Sequence, residues 1–396
     1  MSADRRYLTA QEAAEYLGVS RATLYAYVSR GLVASEPSEG LSSRSRRYPR
    51  RALDDLKERR GERRDPAGTA LRSGALLLES SLSTIDGGRL WYRGRDACEL
   101  SRTATLEEVA CLLWTGATDG SDELFPRPSP RRPRQPASGS PADRLIACLV
   151  DERARHPLSI ADPNRATLRA AAATISKLFD SLGATGTGTL AERLARGWQA
   201  PNADDLRAAL VLCADHELNT SAFTARCVAS TDAPIHNALL AALCALEGRR
   251  HGGIASREIL DLLDAIERLG AEPACRSVLE RTGWIPGFRG DHSVYASCDP
   301  RATELLRRLE LAPADSAAQA IAFADGLGAS PSIELALAAL VRRARLPDDA
   351  AFALFALGRS IGWVAHALEA AARGTLIRPR ARYVGPAPEA PQSRRA

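Results

Sequence analysis

The sequence predicts a mainly α-helical protein, with a small N-terminal domain ahead of a large helical body. Apolar residues recur at three- and four-residue spacing through most of the region from Ala142 to about Arg373, for example in 205–213 and 333–343. Alternating β-branched runs are weak and appear only at 76–85 and 90–92. A chain of 396 residues is long enough for two or three domains with a sizeable buried core.

Composition narrows the class of protein further. No run approaches the ~20 apolar residues that cross a bilayer, and the polar start of the chain is not followed by an apolar signal segment. The 8 cysteines are scattered without a CxxC pair, which is typical of reduced thiols and not of a disulfide framework or a zinc site. These features predict a cytoplasmic protein without a metal or a membrane partner.

The N-terminal domain is predicted from two short helices. Thr9 and Glu12 fit a capping box that begins a helix over 10–17. Glycine and serine then make a tight turn, and a second helix is predicted over 21–30, with Leu24 and Val28 facing inward. Two helices joined in this way define a helix-turn-helix.

Residues 7–25 resemble the winged helix-turn-helix of the MerR and excisionase type, which implies DNA binding by a domain spanning 1–60. The exposed candidates are Arg21, Thr23 and Tyr25 on the second helix, with Arg46 and Arg47 in the predicted wing, where arginines meet phosphates. The alternative is a vestigial or protein-binding unit, because a helix-turn-helix alone specifies neither a DNA sequence nor an affinity.

Composition also marks the boundaries of the body. A charged and then Pro/Gly-containing stretch at 61–74 is a predicted linker, and 387–396 is a predicted tail. The segment 125–141 holds six prolines and four arginines, so we expect an irregular surface insert there. The body is therefore predicted to span 75–386.

Three of the protein's 6 histidines lie in marked contexts. The first stands in Asp-His-Glu-Leu-Asn at 215–219, the second in Gly-Arg-Arg-His-Gly-Gly at 248–253, and the third in Asp-His-Ser-Val-Tyr at 291–295. Further runs of the same kind are Asp-Pro-Arg at 299–301, Gly-Arg-Ser-Ile-Gly-Trp-Val-Ala-His at 358–366, and Ile-Arg-Pro-Arg at 377–380.

These segments, in this order, resemble the citrate synthase family over about 75–386. The resemblance implies an all-helical large domain and a small domain at roughly 255–350, with the helix-turn-helix domain preceding both. It also implies the condensation of acetyl-CoA with oxaloacetate and water to citrate and CoA, the transferase step of the tricarboxylic acid cycle, or the related 2-methylcitrate reaction with propionyl-CoA. The acyl-CoA is then a substrate, and no cofactor is expected.

By this resemblance, His251 polarises the thioester, His292 polarises the ketone of the oxo acid, and His216 hydrogen-bonds the oxo acid. The reaction also needs a carboxylate beside the acetyl methyl group, because a thioester methyl is a poor carbon acid. Where the family carries its aspartate in Pro-Asn-Val-Asp, this chain has Glu334 in Pro-Ser-Ile-Glu. The resemblance leaves His366 a packing or supporting role.

Arginines at three matching positions would hold the dianionic oxo acid, since a guanidinium binds carboxylates through its planar fork. They are Arg301, Arg359 and Arg378. In the family the last of these reaches the site of the partner subunit, which implies a homodimer.

Two departures bear on the activity. The longer glutamate places its carboxylate one methylene farther out, and a displacement of about 1 Å can cost ~10²-fold in rate, so a slow enzyme is expected. The family's Gly-Phe-Gly-His is stretched to Gly-Phe-Arg-Gly-Asp-His at 287–292, and a basic residue expected to meet CoA is replaced by Ala-Ser at 296–297.

Two functions therefore stay open. The first is an active condensing enzyme with an added helix-turn-helix. The second is a DNA-binding transcription regulator whose body senses an oxo acid, a tricarboxylate or an acyl-CoA, and whose dimer presents two recognition helices; a catalytically inactive partner subunit belongs to the same group. Retention of all the histidines and arginines, together with an acidic residue at the base position, favours the enzyme.

Overall fold

Helices dominate the part of the chain that the structure describes. In this computed structural model the described residues are 7–17, 19, 21–29, 33, 35–37, 46–54, 56, 78–126, 139–156, 164–248, 251–252, 255–289, 294–295, 298–379 and 385. Two separate hydrophobic cores form, one from residues between 13 and 56 and one from residues between 82 and 371. The mainly α-helical fold predicted from the sequence is confirmed.

The N-terminal core lies between two helices and a small sheet. The elements are β1 (Tyr7–Thr9), α1 (Ala10–Leu17), α2 (Arg21–Ser29), β2 (Glu36–Pro37) and β3 (Arg46–Pro49), with a further helical stretch at 50–54. The strands are antiparallel in the order β1-β3-β2. The predicted capping box is present: Thr9 N donates to Glu12 Oε2 at 2.8 Å, and Glu12 N donates to Thr9 Oγ1 at 3.3 Å.

The body begins with a three-stranded antiparallel sheet in the order β4-β5-β6. Its strands are β4 (Ser83–Asp86), β5 (Arg89–Tyr92) and β6 (Arg95–Asp96). The first overlaps only the end of the weak strand signal at 76–85, and the second contains the signal at 90–92. Tyr92 is fully buried, and its hydroxyl lies 3.1 Å from the carbonyl oxygens of both Val211 and Asp215, to which it can donate.

Helices make up the rest of the body. They are α3 (Ala97–Thr103), α4 (Leu106–Thr115), α5 (Ser121–Leu124), α6 (Pro141–Arg155), α7 (Arg165–Ser181), α8 (Leu190–Trp198), α9 (Ala203–Cys213), α10 (Thr220–Ala229), α11 (Ile235–Leu246), α12 (Ala255–Leu269), α13 (Ala271–Thr282), α14 (Pro300–Leu309), α15 (Ser316–Asp325), α16 (Ile333–Ala344) and α17 (Ala350–Arg373). A two-stranded sheet pairs β7 (Phe288–Arg289) with β8 (Ser330–Pro331).

The proline- and arginine-rich insert lies mostly outside the described residues, at 127–138. Its last residue, Pro141, is the first residue of α6, a position where proline is favoured because its missing N–H would have no helical partner. Ser140 caps that helix in a capping box with Asp143.

The long helix α17 is the centre of the body and packs against α9, α10, α11 and α16. It is long and apolar enough to cross a membrane, but 94% of its most apolar window is buried inside the protein, as in the core helix of a globular domain. Two glycines one turn apart allow the close packing. A Cβ atom at Gly358 would lie 2.6 Å from the carbonyl oxygen of Leu210, and one at Gly362 would lie 2.4 Å from that of Ala214.

Candidate active site

The loop after α9 carries the first histidine motif, and strand β4 holds it in place. The Ser83 hydroxyl donates to Asp215 Oδ2 and accepts the backbone N–H of Glu217 at 3.0 Å. The backbone N–H of Ile85 donates to Glu217 Oε1 at 2.6 Å. Glu217 itself adopts a left-handed backbone conformation with φ +51°, which is costly for a residue with a side chain and so depends on these bonds. His216, between the two carboxylates, therefore has a defined orientation.

His216 contacts a buried tyrosine. Its Nε2 lies 2.9 Å from Tyr295 Oη, and the two rings meet edge to face with centroids 5.5 Å apart. Burial raises the pKa of Tyr295, so this hydroxyl keeps its proton and hydrogen-bonds as a neutral group. Tyr295 ends the motif that contains His292, and His292 itself lies outside the described residues.

The second motif histidine lies against α10 and α17. His251 Nε2 is 2.9 Å from Ser221 Oγ, and the same oxygen accepts the indole N–H of Trp363 at 3.1 Å. Burial lowers the pKa of His251, and the positive charge of Arg359 lowers it further against an opposing effect of Glu334. At neutral pH the imidazole is therefore uncharged, which suits a hydrogen-bond donor to a carbonyl oxygen.

Arg359 places a buried guanidinium in the same region. The residue is 1% exposed, its Nε donates to the carbonyl oxygen of Cys213 at 2.8 Å, and the guanidinium carbon lies 4.9 Å from the ring centre of Phe355. Its Nη2 is buried without a hydrogen-bond partner among the described residues. An unmatched buried donor on a cation is costly, so this position is suited to a carboxylate ligand.

Arg301 is bound within its own helix terminus. The residue is 5% exposed, and its Nε and Nη2 donate to the two carboxylate oxygens of Asp299 at 3.0 and 2.8 Å. Asp299 also caps α14 by accepting the Arg301 backbone N–H at 3.0 Å. The sequence predicted that Arg301 holds the oxo acid; the structure adds that Asp299 already occupies one edge of its fork.

Glu334 lies in the first turn of α16 and is half-buried. Its negative charge raises the pKa of His251, so the two groups share one electrostatic environment. The pairing of β7 with β8 brings the loop that contains Gly287 to the start of α16, close to Glu334. There the Ser332 backbone N–H donates to the carbonyl oxygen of Gly287 at 2.9 Å. The segment leading to His292 therefore begins beside the helix that carries Glu334.

Gly287 fits this junction in two ways. Its φ of +83° lies in the left-handed region, which a residue with a side chain rarely adopts. A Cβ atom there would also lie 3.0 Å from Leu335 Cβ, so glycine allows the loop to approach α16 closely.

Arg378 is not joined to this cluster. It is exposed in the segment that follows α17, and its neighbour Ile377 donates its backbone N–H to Ser230 Oγ at 3.1 Å. Within one chain, the charges of Arg359 and Glu334 both act on His251, and the charge of Arg301 acts on Arg359. His216 is linked to them through Tyr295, on which the charge of Arg301 also acts.

Several contributing residues had no role assigned from the sequence. Ser221 and Trp363 orient His251, Tyr295 contacts His216, and Asp215 supports the loop around it. All except Ser221 stand inside the histidine and arginine motifs, so their position beside an assigned residue was the available signal. Among the described residues, no group of three His, Cys, Asp or Glu side chains is placed to hold a metal ion.

On the N-terminal domain, the predicted DNA-contact residues fall into two environments. Arg21 and Tyr25 are exposed on α2 and bond to each other, with Arg21 Nη2 donating to the Tyr25 hydroxyl at 3.1 Å. Arg46 donates to the side chain and carbonyl oxygens of Ser35 at 2.6 and 2.9 Å. Arg47 pairs with Glu36 at 3.1 Å and lies 4.3 Å from the ring centre of Tyr7. Thr23 lies within α2, and its side chain is outside the described part.

A buried cation, an uncharged histidine and a carboxylate are the groups that can bind an anionic carbonyl compound. The sequence profile of "Citrate synthase, C-terminal domain" matches residues 71–128 and 145–380, and a "Helix-turn-helix domain" profile matches residues 7–61. The chain belongs to the citrate synthase family and carries an N-terminal helix-turn-helix.

Individual relatives agree with this assignment. A citrate synthase of Haloferax volcanii is 30% identical over 369 residues, covering 79% of this chain and 94% of its own. A 2-methylcitrate synthase of Shewanella oneidensis is 28% identical over 363 residues, covering 81% and 96%. The crystal structure of citrate synthase from Thermotoga maritima superimposes with a TM-score of 0.62 at 26% identity, covering 82% of this chain and 98% of that one.

Proposed function

We propose that the protein condenses an acyl-CoA with a 2-oxo acid: acetyl-CoA, oxaloacetate and water give citrate and CoA. The observation that carries this proposal is the buried Arg359 guanidinium, whose Nη2 has no partner among the described residues, in the same electrostatic cluster as His251 and Glu334. A buried cation with an unused donor needs an anion, and a dianionic oxo acid supplies one.

The proposed reaction divides between three groups. Glu334 removes a proton from the acyl methyl group while His251 donates a hydrogen bond to the thioester oxygen, so that the negative charge of the enolate does not develop unsupported. The carbon atom then attacks the keto carbon of the oxo acid, and His292 stabilises the charge on the keto oxygen as the new bond forms. Water finally cleaves the thioester and releases CoA.

Three arginines and a histidine would bind the oxo acid. Arg359 would donate from Nη2, which has no partner among the described residues, and Arg301 is fixed in place by Asp299. His216 would donate a further hydrogen bond from the loop that Ser83 of β4 holds. The third arginine, Arg378, lies outside the group within one chain. We therefore assign it to the site of a partner subunit, which makes a homodimer the active form.

The acyl group is acetyl or propionyl, because the relatives include both citrate and 2-methylcitrate synthases. A citrate synthase of Thermoplasma acidophilum, which shares this fold at 24% identity and a TM-score of 0.63, was solved as a ternary complex with carboxymethyl coenzyme A and oxaloacetate. The proposed reaction uses soluble substrates, in line with a cytoplasmic location.

A second activity, DNA binding, is favoured by the helix-turn-helix at 7–61 and by the exposed Arg21 and Tyr25 on its second helix. Both activities can coexist, because the two domains have separate hydrophobic cores. In the regulator alternative, the body would bind an oxo acid or an acyl-CoA without converting it.

The test is release of CoA thiol by the purified protein with oxaloacetate and either acetyl-CoA or propionyl-CoA. Turnover that disappears in Glu334→Gln and persists in Glu280→Gln, an exposed glutamate of α13, would support the condensing enzyme. Absence of turnover, with oxaloacetate still raising the melting temperature, would reject catalysis and favour the DNA-binding sensor.

A further inference from the structure

Four side chains that the proposed reaction does not use form a continuous series of hydrogen bonds: Asp215, His366, Arg226 and Glu369. The first three are buried and Glu369 is half-buried. Asp215 Oδ1 lies 3.2 Å from His366 Nε2, His366 Nδ1 lies 3.1 Å from Arg226 Nη1, and the same Nη1 donates to Glu369 Oε2 at 2.5 Å. Asp215 and His366 are 0% exposed, and Arg226 is 1% exposed. The series connects α10 and α17 to the loop that carries His216.

The hydrogen atoms in this series can be placed by elimination. A guanidinium has only donors, so His366 Nδ1 must accept from Arg226 with its lone pair. The single ring proton is then on Nε2, from which it is donated to Asp215. The two contacts therefore fit one tautomer of the His366 ring, with its proton on Nε2. The charged groups that face it are Asp215 from the loop after α9, Arg226 from α10 and Glu369 from its own helix.

With its proton on Nε2, His366 donates a hydrogen bond to Asp215. Burial alone would raise the pKa of Asp215. The hydrogen bonds from His366 and Ser83 and the positive charge of Arg359 oppose this effect and favour the ionised carboxylate. Its charge in turn opposes the lowering of the Arg359 pKa by burial. Glycine at 362 leaves the room for this carboxylate, because a Cβ atom there would lie 2.6 Å from Asp215 Oδ1.

The far end of the series is held by the segment that precedes β4. The backbone N–H and the hydroxyl of Ser81 donate to Glu369 Oε1 at 2.7 and 2.9 Å, and the Ser80 hydroxyl donates to Glu369 Oε2 at 2.8 Å. Arg226 Nη2 also donates to the carbonyl oxygen of Glu79 at 3.2 Å. Arg226 is thus held on one side by Glu369 and on the other by His366.

We propose that Arg226 and His366 are positioning residues of the oxo acid site: Arg226 holds His366 as the neutral Nε2–H tautomer, whose donated hydrogen bond keeps Asp215 in place beside His216 and Arg359. This inference rests on the proposed function, because the site that it serves is the oxo acid site. Neither residue touches the substrate.

The first experiment compares two substitutions of His366 by the KM for oxaloacetate, or by calorimetric affinity for oxaloacetate. A glutamine can accept from Arg226 and donate to Asp215, as the neutral imidazole does, whereas leucine can do neither. We expect H366Q to stay within about threefold of the unaltered protein and H366L to lose roughly tenfold or more in oxaloacetate affinity, since Oδ1 of the buried Asp215 carboxylate then lacks its donor while Oδ2 keeps Ser83. Equal losses in both variants would overturn the proposal.

The second experiment reads the position of the His366 ring proton directly in the unaltered protein. Nitrogen-15 NMR of histidine-labelled protein, with H366Q to assign the signal, should show the ring proton of His366 on Nε2 and none on Nδ1. Arg226→Met should allow protonation at Nδ1, whereas Arg226→Lys, which retains a cationic donor, should not. An imidazolium or an Nδ1–H ring in the unaltered protein would overturn the proposal.

An unaltered protein that neither turns over nor binds oxaloacetate would overturn the proposed function, and the positioning role with it. Normal oxaloacetate binding together with a charged His366 would overturn the positioning role alone.

Discussion

At the scale of single residues, each buried charge of the candidate site is stabilised by a neighbouring charge of opposite sign. Arg359 is buried with one unused donor, and the carboxylate that most raises its pKa is that of Asp215, against the lowering by burial. His251 is uncharged because burial and Arg359 lower its pKa. A bound dianion would offset the buried positive charge of Arg359, so the proposed substrate would also stabilise the folded protein.

Glu334 allows the most direct test at this scale. Replacing it by the family's aspartate shortens the side chain by one methylene, and a correction of about 1 Å is expected to raise kcat by up to ~10²-fold with little change in the KM for oxaloacetate. Steady-state kinetics of CoA release would measure this effect. Glu334→Gln is the matched control, with no turnover expected. A slower Glu334→Asp variant would show that the backbone of α16 already compensates for the longer side chain.

At the scale of elements, the packing of α17 against α9 determines where Arg359 and Trp363 lie. The two glycines at 358 and 362 let the helix approach the carbonyl oxygens of Leu210 and Ala214, and Gly362 donates its backbone N–H to Ala214 at 3.1 Å. This close approach places Arg359 and Trp363, which follow the two glycines, near the loop that carries His216.

Gly362→Ala is expected to destabilise the protein by about 1–3 kcal/mol despite the better helix propensity of alanine, because the new methyl group would overlap backbone and carboxylate atoms. Chemical denaturation would measure the loss. Gly326→Ala is the control: its Cβ would meet only the Phe323 carbonyl oxygen at 3.4 Å, so we expect little change. Equal stability of both variants would mean that α17 can shift without cost.

Glu369 predicts how the stability of this region responds to acid. Burial would raise its pKa, but hydrogen bonds from Ser81, Arg226 and Ser80 lower it to about 2. Because the folded pKa lies below that of the unfolded chain, about 4.3, the stabilisation is present above about pH 4.3 and is lost as the pH falls toward about 2.

Glu369→Gln should therefore lower the free energy of unfolding at neutral pH, and the difference from the unaltered protein should shrink below about pH 4. Denaturant titrations at several pH values would show this, with Glu280→Gln as the exposed control. A difference that does not vary with pH would contradict the assigned role of the charge.

At the scale of the whole molecule, the proposed oxo acid site includes Arg378, which is exposed in the segment after α17 within one chain. The N-terminal domain has its own core, with Leu24 and Tyr48 fully buried. We therefore expect the protein to form a dimer through its body and to bind DNA through its N-terminal domain.

A mixed dimer tests the shared site. Arg378→Ala and Glu334→Gln should each be inactive alone, but subunits mixed in equal amounts should recover about a quarter of the activity, because half of the dimers then contain one intact site of two. Arg359→Ala mixed with Glu334→Gln should recover none, since both residues belong to the same chain's site. No recovery in the first mixture would place Arg378 in its own subunit's site or in none.

The helix-turn-helix is tested by binding to duplex DNA at several salt concentrations. Arg21→Ala should weaken binding across sequences and reduce the salt slope by about one, as expected for the loss of a phosphate contact. Arg276→Ala is the matched control, because Arg276 is also an exposed helical arginine with a partner four residues away. Identical binding by both variants would remove Arg21 from the DNA interface.

The local structure of this protein was predictable to a large extent. The capping box of Thr9 and Glu12 begins α1 at the expected residue, and the weak strand signals overlap β4 and β5. The histidine and arginine motifs identified the family before any contact was known. Such features depend on neighbours in the chain, so spacing and residue type are sufficient to reveal them.

By itself, then, the sequence determined the helical class and the family, and it predicted the residues of a site. Only the tertiary structure decided their partners: Asp299 occupies one edge of Arg301, Ser221 meets His251 from 30 residues away, and His366 reaches Asp215 across 151 residues. The physical reason is that caps and periodicities are local, whereas hydrogen-bond partners and buried charges are set by which helices pack together, and that depends on the whole chain at once.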